Sequence, residues 1–140
     1  MDKEAGAVGI AHAGRKGTFL GIASKTVEAM QSAFGARPGS MLAALGPAIG
    51  PCCYQVGQDV AGPFKESFRW GEDVFQSSGG GKSYFDIFKA NRIQLNQAGV
   101  DDDRIIAPGL CTSCLSSMFY SYRRDGGIKG NIFSFVMLEA

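Results

Sequence analysis

The sequence predicts a mixed α/β fold, with mixed β-sheets flanked by helices in a layered sandwich. Three features carry this: short apolar runs of strand length, amphipathic stretches stepping by three and four residues, and the interleaving of the two. The 140 residues suit one domain, expected over 1–140. With 45% hydrophobic and 19% charged residues, the composition is that of a globular chain and not a disordered one.

Ala7 to Ala13 are small and apolar and read as a first buried strand, ending in the turn Gly14-Arg15-Lys16-Gly17-Thr18. Thr18 is placed to cap the next helix. There Ile22, Ala23, Val27, Met30 and Phe34 form one face, Lys25, Glu28 and Gln31 the other, and Gly35 the end. Met41 to Leu45 reads as a second strand. The stretch GPAIGPCCYQVG, residues 46–57, is too rich in Gly and Pro for a regular element. Gln58 to Phe68 predicts a helix limited by Pro63, and Gln76 to Ser83 a surface loop. A further helix starts at Ser83 or Asp86, runs to about Gln97 and closes at Gly99. Arg104 to Ala107 and Asn131 to Leu138 read as strands, with the charged turn Arg123-Arg124-Asp125-Gly126-Gly127 between them.

Fourteen Lys and Arg against thirteen Asp and Glu give a net charge of +1, which supplies no field for nucleic acid or an anionic membrane. No apolar run approaches the roughly 20 residues of a spanning helix. A cytoplasmic protein is expected. The single histidine, His12, is restrictive: a blue-copper site takes two His and a Cys, which this chain alone cannot provide.

His12 could hold a metal or move a proton, or could simply be a hydrogen-bonded structural residue. Gly14, Lys16 and their neighbours could hold an anion, with Lys16 as the cation, or form a solvated basic turn. Gly81-Lys82-Ser83 imitates the end of a P-loop but lacks its first glycine, since position 76 is Gln. Cys111 and Cys114 have zinc or redox spacing, and Cys52-Cys53 could add two thiolates, although packing is the favoured account. Arg123 and Arg124 fit phosphate or carboxylate capture and equally an ion-paired turn.

Several segments together resemble one family. They are His12-Ala13-Gly14 with Lys16-Gly17-Thr18, LGPAIGPCCYQVG, Ala90-Asn91-Arg92 with Gln94-Leu95, Gly109-Leu110-Cys111-Thr112 with Cys114, and FYSYRRDG. In this order they resemble the YfiH or laccase-domain family, also called polyphenol oxidase-like or peptidoglycan editing factor proteins. The chain looks like the C-terminal portion of such a protein. The resemblance implies a fold related to toxin-like (cytotoxic-necrotizing-factor-like) architectures. It also implies a zinc-dependent purine nucleoside phosphorylase acting on adenosine, inosine and methylthioadenosine, with adenosine deaminase activity. Copper-dependent polyphenol oxidase is the older alternative for the family. The implied metal site takes two His and one Cys, of which only His12 maps here, and the other two would lie upstream. Weak zinc binding by this chain alone is therefore expected, with a catalytically silent scaffold or interaction domain as the alternative. The chain departs from the family pattern at Arg15, usually Trp, and at Asn131, where an Arg is usual.

Overall fold

A computed structural model describes residues 1–138. In chain order the elements are α1 (Arg15–Phe19), α2 (Ile22–Phe34), β1 (Ala43–Ala44), β2 (Gln55–Val56), α3 (Gln58–Ser67), β3 (Phe75–Gly79), β4 (Lys82–Phe85), α4 (Ile87–Gln97), β5 (Ile105–Ile106) and α5 (Tyr122–Asp125). The fold is mixed α/β as expected, with both parallel and antiparallel pairing. The chain divides into two compact units, one of Met1–Gly46, Ala90–Pro108 and the chain from Phe133, the other of Pro47–Lys89 and Gly109–Ile132.

In the first unit α2 forms where the apolar spacing predicts it. Ala23, Val27 and Met30 are buried, and Gly35 closes the helix in the left-handed conformation at φ 65°. They pack with Ala7, Ala36, Met41, Leu95, Val100 and Ile105 in one core. Phe34, assigned to the same face, is 58% exposed, because the apolar stripe leaves the core at the helix end. β1 and β5 pair in parallel, with Ala43 opposite Ile105. Arg92 of α4 grips Asp102 through Nε and Nη2, both at 2.6 Å. With Asn96, this holds the Asp102 carboxyl down at about 2. The pair is exposed, so its contribution to stability is small.

The expected strand at Ala7–Ala13 is not formed. Ala7 makes one antiparallel bridge to Asp2, and residues 8–14 are irregular. The segment lies on α2 instead: a Cβ added at Gly9 would sit 2.9 Å from Met30 Sδ. Thr18 lies inside α1 and does not cap α2, whose N-cap residue is Gly21. Residues 131–138 are likewise not in a strand among the described residues. Phe133 and Phe135 are 88% and 87% exposed. Apolar alternation makes a strand only where a neighbour accepts its hydrogen bonds, and none among the described residues does so here.

The second unit contains the sheet β2-β4-β3, antiparallel throughout. The expected loop at Gln76–Ser83 is instead a hairpin, its turn made by Gly79, Gly80 and Gly81 at φ 81°, 58° and 71°. Exposure of one face removes the apolar signal that would have marked these strands. Phe85 is wholly buried among aromatic rings, with centroids 5.0 Å from Phe64, 4.9 Å from Phe75 and 5.6 Å from Tyr54. α3 forms with Pro63 inside it. Gly71 lies so close to α3 that an added Cβ would be 2.3 Å from the Phe64 carbonyl oxygen.

Candidate functional site

His12 is an exposed residue on irregular backbone just before α1. Its ring lies against Gly14, where an added Cβ would be 2.8 Å from Nε2. Gly17 admits the His12 carbonyl oxygen at 3.0 Å in the same way. Behind this turn, wholly buried Thr18 accepts a hydrogen bond from Asn91 Nδ2 at 3.0 Å and donates to the Ala13 carbonyl at 3.2 Å. Gln94 Nε2 donates to the Thr18 carbonyl at 2.6 Å. Gln94 Oε1 is buried with no hydrogen-bond partner among the described residues. The amide is therefore oriented by the Thr18 carbonyl, which a flipped amide would meet with its own oxygen. Helix α4 thus fixes the turn that carries His12. Sequence reasoning assigned no role to Asn91 and Gln94, although their presence as polar residues on the inward face of an amphipathic helix was a signal.

Lys16 is exposed and makes no ion pair among the described residues. The predicted site residues His12, Gly14 and Lys16 therefore share one turn. Gly14→Ala is expected to displace the imidazole while leaving the melting temperature nearly unchanged, since the clash is with a side-chain end. The imidazole C–H resonance of the sole histidine would report it, and an unshifted resonance would contradict this packing.

Arg123 and Arg124 belong to the second unit. Arg123 Nη1 donates to the Gln55 carbonyl at 2.9 Å, and its guanidinium carbon is 5.3 Å from the Tyr54 ring centroid. Arg124 donates to the carbonyls of Thr112, Ser113 and Phe119 at 2.8, 3.3 and 3.0 Å. It also pairs with Asp125 and holds that carboxyl below the usual carboxylate range. The Arg124 bonds to Thr112 and Ser113 brace the loop between Cys111 and Cys114.

The four cysteines come together in the second unit. The sulfurs of Cys52, Cys53, Cys111 and Cys114 all lie within 4.8 Å of one another. Cys114 Sγ is 3.5 Å from both Cys52 Sγ and Cys53 Sγ. Packing alone does not account for this, because Cys52 and Cys114 are exposed. Burial resists ionisation of Cys111, but the backbone N–H groups of Gly50, Cys114 and Ser113, with the Cys52 thiol, bring it down to about 6. Cys52 is pushed up to about 12 by lost hydration and the surrounding thiols.

Fold and site together define a mixed α/β protein with a histidine–glycine turn and a four-thiol cluster. The family model described as multi-copper polyphenol oxidoreductase laccase matches residues 1–139, and the chain belongs to that family. Purine nucleoside phosphorylase YlmD of Geobacillus stearothermophilus is 38% identical over 133 residues, 94% of this chain and 48% of that protein. A purine nucleoside phosphorylase of Deinococcus radiodurans is 42% identical, covering 98% and 51%. Adenosine deaminase RL5, from an unknown prokaryote, is 36% identical, covering 96% and 51%. The crystal structure of hypothetical protein YfiH from Bacillus licheniformis superposes with a TM-score of 0.79 at 38% identity, over 84% of this chain and 44% of that one. The chain spans about half the length of the curated relatives it matches.

Proposed function

We propose that this chain supplies part of the site of a purine nucleoside phosphorylase, which transfers the glycosyl group of a purine nucleoside to phosphate, with adenosine deamination as a second activity. The observation that carries the reading is the 38–42% identity to two proteins bearing the phosphorylase name, sustained over nearly the whole chain. The deaminase-named relative supports the second activity.

In phosphorolysis a phosphate oxygen bonds to C1′ of the sugar as the bond from C1′ to the purine nitrogen breaks. Positive charge develops on the sugar, so the phosphate must be held close to C1′. Lys16, exposed and beside the His12 turn, is the group we assign to that phosphate. Gly14 allows the backbone to approach closely, and Thr18 with Asn91 keeps the turn in place. Arg124 is occupied with the Cys111–Cys114 loop and braces it.

The zinc that the family resemblance implies does not fit His12 alone. Among the described residues, the His, Cys, Asp and Glu side chains that gather in groups of three or more are the four cysteines, and His12 is not among them. Zinc sites take three or four protein donors, so no step is assigned to a metal at His12 in this chain. This same observation favours the second reading, a scaffold that is silent on its own.

The test is release of hypoxanthine from inosine, dependent on added phosphate, by the purified chain. Lys16→Met is expected to raise the phosphate KM about tenfold, as the loss of one charged hydrogen bond would. An unchanged phosphate KM would remove Lys16 from this role. A folded wild-type chain with no turnover would leave the scaffold reading.

A further inference from the structure

We propose that Cys52, Cys53, Cys111 and Cys114 bind a single zinc ion as four thiolates, a structural site separate from the histidine turn. Metal–sulfur bonds of about 2.3 Å in a tetrahedron set sulfur–sulfur edges of about 3.8 Å. The sulfurs here span separations from 3.5 Å to at most 4.8 Å, so small side-chain adjustments complete the tetrahedron. A polynuclear iron–sulfur cluster spreads its thiolates around several metal atoms, whereas these four surround one point. The all-sulfur, four-donor set is the closed arrangement of structural zinc and leaves no position for substrate.

The backbone prepares this geometry. The two ligand-bearing segments are joined by a parallel bridge between Ala48 and Cys111. Its hydrogen bonds run from Ala48 N to Leu110 O at 3.2 Å and from Thr112 N to Ala48 O at 2.9 Å. On one side Cys53 N and Tyr54 N both donate to the Gly50 carbonyl at 3.0 Å, turning the chain so that adjacent Cys52 and Cys53 can reach a common centre. Gly50 itself lies under the cluster: an added Cβ would meet Cys111 Cβ at 3.1 Å and Cys52 Sγ at 3.4 Å. Its N–H donates to Cys111 Sγ at 3.2 Å, the outer hydrogen bond that metal-bound thiolates commonly receive. Arg124 fixes the carbonyls of Thr112 and Ser113 between the other two ligands. Cys52 and Cys114 are exposed residues, which gives the ion a way in. On binding, the thiols release their protons to solvent and the sulfurs donate electron pairs to the metal, with no change of oxidation state.

The experiment is zinc analysis of the full chain, purified under reducing conditions without chelator. About one zinc per chain is expected, retained in His12→Ala and lost in the double variant Cys111→Ser/Cys114→Ser. Replacement of the zinc by cobalt(II) in the unaltered chain should give intense thiolate-to-cobalt charge-transfer absorption with tetrahedral d–d bands, a readout independent of whether the double variant folds. The proposal is overturned by cobalt(II) spectra without thiolate charge transfer, by stoichiometric copper in place of zinc, or by zinc that leaves with His12 and not with the cysteines. A disulfide among these four cysteines in the freshly purified chain would overturn it as well.

Discussion

Phe85→Ala is expected to destabilise the second unit by about 3–5 kcal/mol, the usual cost of emptying a buried phenylalanine site. Phe85 is fully buried, and three aromatic rings have their centroids within 6 Å of its own. Those rings come from β2's approach, α3 and β3, so no single neighbour can collapse into the void. Domains of this size are stable by only about 5–15 kcal/mol, so the loss is a large share of the total. Trp70 is the only tryptophan, is buried in the same unit and stacks on Phe68 at 4.5 Å. Its fluorescence during urea unfolding therefore reports this unit. A midpoint that moves by the equivalent of less than 1 kcal/mol would mean the aromatic cluster does not hold the unit together. The effect should extend to the thiols: Phe85 N donates to the Tyr54 carbonyl at 2.9 Å, and Tyr54 N to the Gly50 carbonyl at the base of the cluster. Phe85→Leu, which keeps most of the volume, should lose much less.

What could be read from the chain follows from how local the determining forces are. Helix α2 is fixed by side chains within its own thirteen residues and by Gly35, so periodicity located it and its end. Helix α4 was legible for the same reason, with Asp86 Oδ1 accepting from Lys89 N at 2.9 Å at its start. Strands are properties of pairs. The run Ala7–Ala13 has strand composition, yet its neighbour is the side of α2, and Phe133 and Phe135 alternate with no partner strand among the described residues. The hairpin at Phe75–Phe85 shows the reverse, since a segment with three glycines and three serines still pairs, with a register shift between Ser77 and Gly79, because Phe75 and Phe85 anchor it. Site residues divide in the same way. His12, Gly14 and Lys16 are adjacent in sequence and were found together. Thr18 and Asn91, 73 positions apart, meet only after folding. The cysteines gave a partial signal, two close pairs, but nothing local places Cys52 within reach of Cys114.

Thr18→Val tests whether the inner side of the histidine turn is built by that long-range pair. Valine matches threonine in shape, so the change removes a hydroxyl without opening a cavity. It takes a donor from the part-buried Ala13 carbonyl and one acceptor from the buried Asn91 amide. Losing such buried hydrogen bonds costs about 1–3 kcal/mol. A purely structural role would end there. Because the Ala13 carbonyl lies between His12 and Gly14, its release should also shift the His12 imidazole resonance and lower any nucleoside turnover. Thr18→Ser separates the two effects. It restores the hydroxyl and sacrifices one methyl group, so it should regain the native imidazole resonance while recovering only part of the lost stability. If valine leaves the resonance where it is, or serine fails to restore it, the Thr18–Asn91 pair holds the core and does not position the histidine.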